Sequence, residues 1–196
     1  MTKVSTKDRI FQASMLLFSQ HGYDGTSVQD ICQHAEVSKG AFYHHFQSKQ
    51  ALFLGMMDEW IKLFTAEVVD QQPGSLPVPE YLLALNGRIS MAFDAAPQGF
   101  PILMDFWRQA ILDETIWHEA LTPYRHFQQF FEQLVRKGIA EGSLKRDTDP
   151  SQAAFLLIAF FMGYLLQAAL YRDAVNWPLQ TAYGLGQLLD GMRSKS

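Results

Sequence analysis

Along nearly the whole chain, apolar residues recur every three or four positions, the period of a helix with one buried face. In residues 7–20 that stripe is Ile10, Ala13, Ser14, Leu17 and Phe18, and His21-Gly22 ends it with a glycine past the last turn. Ser27-Val28-Gln29-Asp30 has the form of a capping box. The hydroxyl accepts a free N–H while the acid reaches back, so a helix starts at Val28 with Ile31, Cys32 and Ala35 inward. After a break at Glu36-Val37, Ser38 caps a second short helix that runs to about His45 or Phe46. Ser48 caps a longer one, whose stripe of Ala51, Leu52, Met56, Trp60 and Phe64 continues to about Asp70. The stretch 71–79, QQPGSLPVP, has linker composition. Beyond it the pattern predicts helices near 80–95, 100–113, 115–142, 150–172 and 178–193, with a kink or restart of the third at Thr122-Pro123. Strand alternation never persists. The predicted fold class is all-α: a small three-helix domain over 1–50, a connecting helix over 48–71, and a larger helical domain over 72–196.

Two short capped helices joined by a tight turn, with a helix before and one after, are the layout of a helix-turn-helix. The residues go further. The segment GYDGTSVQDICQHAEVSKGAFYHHFQSKQALF (22–53) resembles the N-terminal DNA-binding segment of the TetR family of transcriptional regulators. Thr26-Ser27-Val28, Asp30-Ile31, Val37-Ser38-Lys39-Gly40, Phe42-Tyr43, His45-Phe46 and Ser48-Lys49 fall at that family's spacing, and the likeness covers residues 7–56. It implies a DNA-contacting set of Thr26, Ser27, Ser38, Lys39, Gly40, Tyr43, His44 and Lys49, mostly on phosphates, with Lys39, Gly40, Gln29 and Ala41 near base edges. It also implies a homodimer on a roughly palindromic operator in double-stranded DNA, acting most often as a repressor released by a small effector. Glu36 departs from the family pattern by standing where glycine is frequent, so either a positive φ there costs about 1 kcal/mol or the turn differs slightly. Cys32 stands where alanine is usual.

The chemistry of these positions makes sense without the name. A recognition helix presses its first turn into the major groove, where Ser38-Lys39-Gly40-Ala41 offers free N–H groups, an ammonium and little bulk. Tyr43 and His44, one turn on, carry groups that hydrogen-bond phosphate oxygens, although Tyr43 between Phe42 and Phe46 also reads as a core aromatic. His45 reads as a partly buried packing residue. His44 and His45 point about 100° apart and cannot share one metal ion, and no metal or cofactor is expected.

The later helices resemble the family's regulatory domain loosely, through Arg136-Lys137-Gly138-Ile139-Ala140-Glu141-Gly142 followed by Asp149-Pro150. Residues 153–171, AAFLLIAFFMGYLLQAALY, carry no charge. A helix apolar all round must be covered on both sides. Its own domain and a twin helix across a dimer axis would do so, with Phe155, Ala159, Met162, Leu166, Leu170, Tyr183, Gly186 and Leu189 in the seam. The alternative is a membrane-anchored interaction protein that inserts 153–171. Gln167, Gly163 and the Asp149-Pro150 cap weigh against a span, so no membrane partner is expected. An effector pocket is expected among Phe100, Met104, Trp107, Trp117, Tyr124, Phe127, Phe131, Phe161 and Tyr164, with Arg108, His118 and Gln167 among its polar groups. The same aromatics also read as plain core.

Composition sharpens this only in part. With 16 Lys and Arg against 20 Asp and Glu among 196 residues the net charge is −4, which excludes a histone-like basic binder. The excess acid lies beyond residue 50; residues 1–50 hold one more base than acid, and Val37 to Met57 contains no acid. One cysteine excludes a disulfide framework and fits a reducing, cytoplasmic setting, and the first residues, MTKVSTKDRIFQ, lack the apolar run of a secretory signal, so none is expected. No Gly-rich phosphate loop, paired-carboxylate motif or serine elbow points to an enzyme.

Overall fold

The structure is a computed structural model that describes residues 5–68, 74–95, 99–171 and 176–194. Helices α1 (Thr6–His21), α2 (Val28–His34), α3 (Lys39–His45), α4 (Lys49–Val68) and α5 (Val78–Ala95) come first. They are followed by α6 (Gly99–Leu112), α7 (Glu114–Glu141), α8 (Pro150–Leu170) and α9 (Trp177–Met192). Among the described residues the one β feature is an isolated bridge between Leu144 and Arg193. The architecture is therefore all-α, an N-terminal helix-turn-helix followed by a larger helical part.

The caps form where the serines and acids stand. Ser5 with Asp8 and Ser27 with Asp30 both close reciprocal capping boxes at the starts of α1 and α2. Asp149 caps α8 ahead of Pro150, and Asn176 caps α9 ahead of Pro178. Pro123 neither ends nor restarts α7, which continues through it for the loss of one hydrogen bond.

Compactness divides the chain elsewhere than the linker at 71–79, of which only residues 74–79 are described. One unit joins Met1–Leu63 to Ala96–Leu121, and the other joins Phe64–Ala95 to Thr122–Ser196. The first is built on Ile10, Phe18, Ile31, Phe42, Leu52 and Phe53, and Ile102, Phe106, Ala110 and Ile116 of α6 and α7 share that core. The second is built on α5, α8 and α9 with the later turns of α7, around Tyr81, Leu85, Val135, Leu157 and Leu185.

Two glycines of the second unit hold its helices close. A Cβ on Gly138 would stand 2.6 Å from Leu144 Cδ1 and 3.2 Å from Val78 Cβ. One on Gly184 would collide with the Tyr164 hydroxyl and lie 3.1 Å from Phe160. Gly184 thus serves the close packing of α9 against α8.

Candidate nucleic-acid interface

The α2–α3 pair stands on a buried base of Ile31, Cys32, Ala35 and Phe42. Ser38 caps α3, its hydroxyl accepting from Ala41 N–H at 3.1 Å. Glu36, in the turn between the two helices, has φ 53 and is the one non-glycine with positive φ among the described residues. Of the two alternatives for this turn, the structure has the strained positive φ, and Arg9 Nη1 donates to the Glu36 carbonyl at 3.4 Å. The residues of the first turn, Ser38, Lys39 and Gly40, are all exposed, and no acid occupies that turn. Gly40 is informative. Among the described residues a Cβ there would meet only Ser38 Oγ, at an ordinary 3.7 Å, so none of them requires glycine. Glycine costs a helix up to about 1 kcal/mol relative to alanine, and the missing side chain leaves room for a surface approaching from outside.

Tyr43 is 53% exposed, edge-on to the buried Phe42, and so is not core. Its hydroxyl end is open to a partner, as are Gln29 and His44, while Ala41 is half-buried. His45 is exposed instead of packed, because α3 is only seven residues long and buries Phe42 alone. Among the described residues no group of three or more metal-ligating side chains converges. Burial raises the Cys32 thiol above its usual pKa, which keeps it protonated and inert.

Other predicted contacts are engaged inside the chain. Thr26 is 2% exposed, its hydroxyl donating to the Gly22 carbonyl at 2.9 Å. The Ser27 hydroxyl is held in its capping box with Asp30, and its hydrogen bonds lower the Asp30 pKa. Lys49 Nζ donates to the carbonyls of Tyr23 at 2.8 Å and Thr26 at 2.9 Å, and lies 4.2 Å from the Tyr23 ring centroid. Desolvation lowers its pKa. Lys49 is a clamp on the loop before α2, and only one of its N–H donors is left for a phosphate. Sequence spacing could not show this, since its acceptors are backbone carbonyls.

The later site residues divide between the two units. Phe100, Met104, Trp107, Arg108, Trp117 and His118 belong to the first, and Tyr124, Phe127, Phe131, Phe161, Tyr164 and Gln167 to the second. Phe131 and Phe161 stack at 5.9 Å in the second core and are structural. Arg108 pairs with Asp24 and Asp105, and His118 lies 4.0 Å from Glu114 on an exposed face. The Arg108 hydrogen bond is the main cause of a lowered Asp24 pKa. Trp107 and Trp117 are 37% and 48% exposed. Of the expected seam, Phe155, Leu166, Leu170 and Tyr183 are 49–71% exposed and Ala159 is exposed too, with Met162 and Gly186 half-buried. Leu189 is 0% exposed within its own unit, so it is core and not seam.

Comparison with known proteins agrees with this geometry. The family model described as bacterial regulatory proteins, tetR family, matches residues 10–56. A second, described as tetracyclin repressor-like, C-terminal domain, matches residues 114–178. The chain is 27% identical over 174 residues to the HTH-type transcriptional repressor DhaR of Mycobacterium sp. (strain GP1), covering 88% of this chain and 87% of that protein. It is 29% identical over 150 residues to the probable HTH-type transcriptional regulator YttP of Bacillus subtilis (strain 168), covering 74% and 68%. In fold it matches a TetR transcription regulator from Haloarcula marismortui with a TM-score of 0.82 at 19% identity, over 96% of this chain and 98% of that one.

Proposed function

Because the chain belongs to the TetR family of bacterial regulatory proteins, whose members are DNA-binding transcriptional regulators, we propose that it is a homodimeric repressor. Each subunit lays α3 in a major groove, and the pair reads a palindromic operator. The observation that carries this reading is the exposed, acid-free first turn of α3, with Lys39 beside a glycine that the fold itself does not need. Ser38, Tyr43 and His44 take phosphates, while Gln29, Lys39 and Ala41 lie near base edges. Thr26, Ser27 and Lys49, whose donors are engaged inside the chain, act instead by holding the start of α2 in place.

Phe155, Ala159, Leu166 and Leu170 of α8 and Tyr183 of α9 leave an exposed apolar stripe, which a twin copy covers in a four-helix seam. The helix over 150–168 is also long and apolar enough to cross a membrane, so fractionation separates a cytoplasmic dimer from an anchored protein. A small apolar or aromatic effector binds the later helices, a role supported by the match over residues 114–178, and releases the operator by favouring a different state.

The test is direct. The protein selects a duplex from a random-sequence pool, and Lys39→Ala and Tyr43→Phe are titrated against it at several salt concentrations. Lys39→Ala weakens binding and, by removing one cation from the interface, flattens the log–log salt slope by up to about 0.9. If both variants bind as tightly as the parent with its slope, α3 is not the reading element.

A further inference from the structure

We propose that Asp105, braced by Arg108, is a positioning residue for DNA binding: its carboxylate seats the loop 22–26 on α6 and thereby fixes where α2 begins. The inference rests on the DNA-binding reading above and adds to it residues that touch no nucleic acid.

Tyr23 N–H donates to Asp105 Oδ2 at 2.6 Å, across a separation of 82 residues. Gly22 has φ 72, and a Cβ on it would stand 3.1 Å from that same oxygen, so the loop backbone lies flat on the carboxylate. Arg108 Nε donates to Asp105 Oδ1 at 3.4 Å, and its Nη2 donates to the Asp24 carboxylate. Gln109 Nε2 donates to Asp24 Oδ1 at 3.1 Å. Lys49 of α4 grips the same loop through the carbonyls of Tyr23 and Thr26. The next residue, Ser27, is the cap from which α2 starts.

The partners do not contribute equally. The Arg108–Asp24 pair is 46% and 66% exposed, and such surface pairs contribute little. The Asp105 side chain is only 20% exposed, and a sheltered carboxylate accepting a backbone N–H makes a strong, directional bond. Below it, Ile102 and Phe106 anchor α6 in the first core, so the seat is rigid. A helix-turn-helix that shifts by an ångström loses contact geometry that no surface charge restores.

The experiment titrates the duplex selected by the parent with Asp105→Ala, Asp105→Asn, Arg108→Ala, Asp24→Ala and the Asp24/Arg108 double variant. Each is measured well below its own Tm, with helicity checked by circular dichroism. Asp105→Ala weakens binding about tenfold. Asp105→Asn, whose amide oxygen still accepts from Tyr23 N–H, recovers most of that loss. Arg108→Ala and Asp24→Ala each weaken binding about threefold, and the double variant is no worse than either. A fall in Tm with parental affinity throughout overturns the proposal and leaves the cluster purely structural. Where Asp105→Ala fails to fold, Arg108→Ala and Asp24→Ala decide by the same criterion. A parent that selects no duplex sinks the DNA-binding reading and this inference with it; parental affinity in the variants sinks this inference alone.

Discussion

Lys49→Met separates a cation that holds the fold from one that meets DNA. The ammonium donates at 2.8 and 2.9 Å to the carbonyls of Tyr23 and Thr26 and sits 4.2 Å from the Tyr23 ring centroid. Methionine keeps most of the apolar stem and removes both hydrogen bonds and the charge. Hydrogen bonds to a charged group contribute about 1.5–3 kcal/mol each and a cation–π contact about 0.5–1 kcal/mol. Against them stands the relieved desolvation that lowers the Lys49 pKa in the folded protein. The net loss is about 2 kcal/mol, which in a chain of this size lowers Tm by about 4–8 °C. Thermal melts followed by circular dichroism read that loss, and duplex titrations across salt read the DNA contribution. Lys49→Met lowers Tm and keeps the salt slope near the parent's, whereas Lys39→Ala keeps Tm and weakens binding. A Lys49→Met protein with parental Tm and a slope reduced by about 0.9 would refute the clamp and make Lys49 a phosphate contact.

Three more outcomes follow from local geometry. Glu36→Gly relieves a left-handed backbone at φ 53 and raises stability by about 0.5–1 kcal/mol in chemical denaturation; an unchanged or lower midpoint sinks that reading. Gly138→Ala drives a methyl into Leu144 and Val78, which are 1% and 0% exposed and have nowhere to move. It costs about 1–2 kcal/mol despite alanine's better helix propensity, and a rise in Tm would contradict the close packing. The Asp30 carboxyl has its pKa lowered below 3.8 by the Ser27 hydrogen bonds. Folding therefore favours its ionised form, and the stabilisation is present above 3.8 and lost as pH falls through the folded value. Ser27→Ala makes the acid side of the stability profile shallower, and an identical acid limb in urea melts would show the box to be idle.

The amino-acid sequence by itself determined the local elements and the kind of surface at the N-terminal end. The capping box at Ser27, the cap at Ser38 and the Asp149-Pro150 start of α8 are short-range chemistry between residues two to four apart, so their positions were legible within a residue or two. At Glu36 the family resemblance left open whether the backbone keeps a positive φ or the turn differs, and the fold decided for the positive φ. The exposed first turn of α3 followed from the spacing of its polar and small residues around Phe42. Tertiary structure alone decided which core each helix joins. A helical stripe reports that a face is buried and says nothing of what covers it, so α6 gave no sign that Ile102 and Phe106 pack with the helix-turn-helix. It also decided the hydrogen-bond partners of Lys49, Asp105 and Arg108, because a long polar side chain takes whatever acceptor the fold brings near, here a loop more than 80 residues from α6. Leu189 shows the same limit within one helix: alternation marked it apolar, and only packing placed it in the core rather than on the exposed stripe.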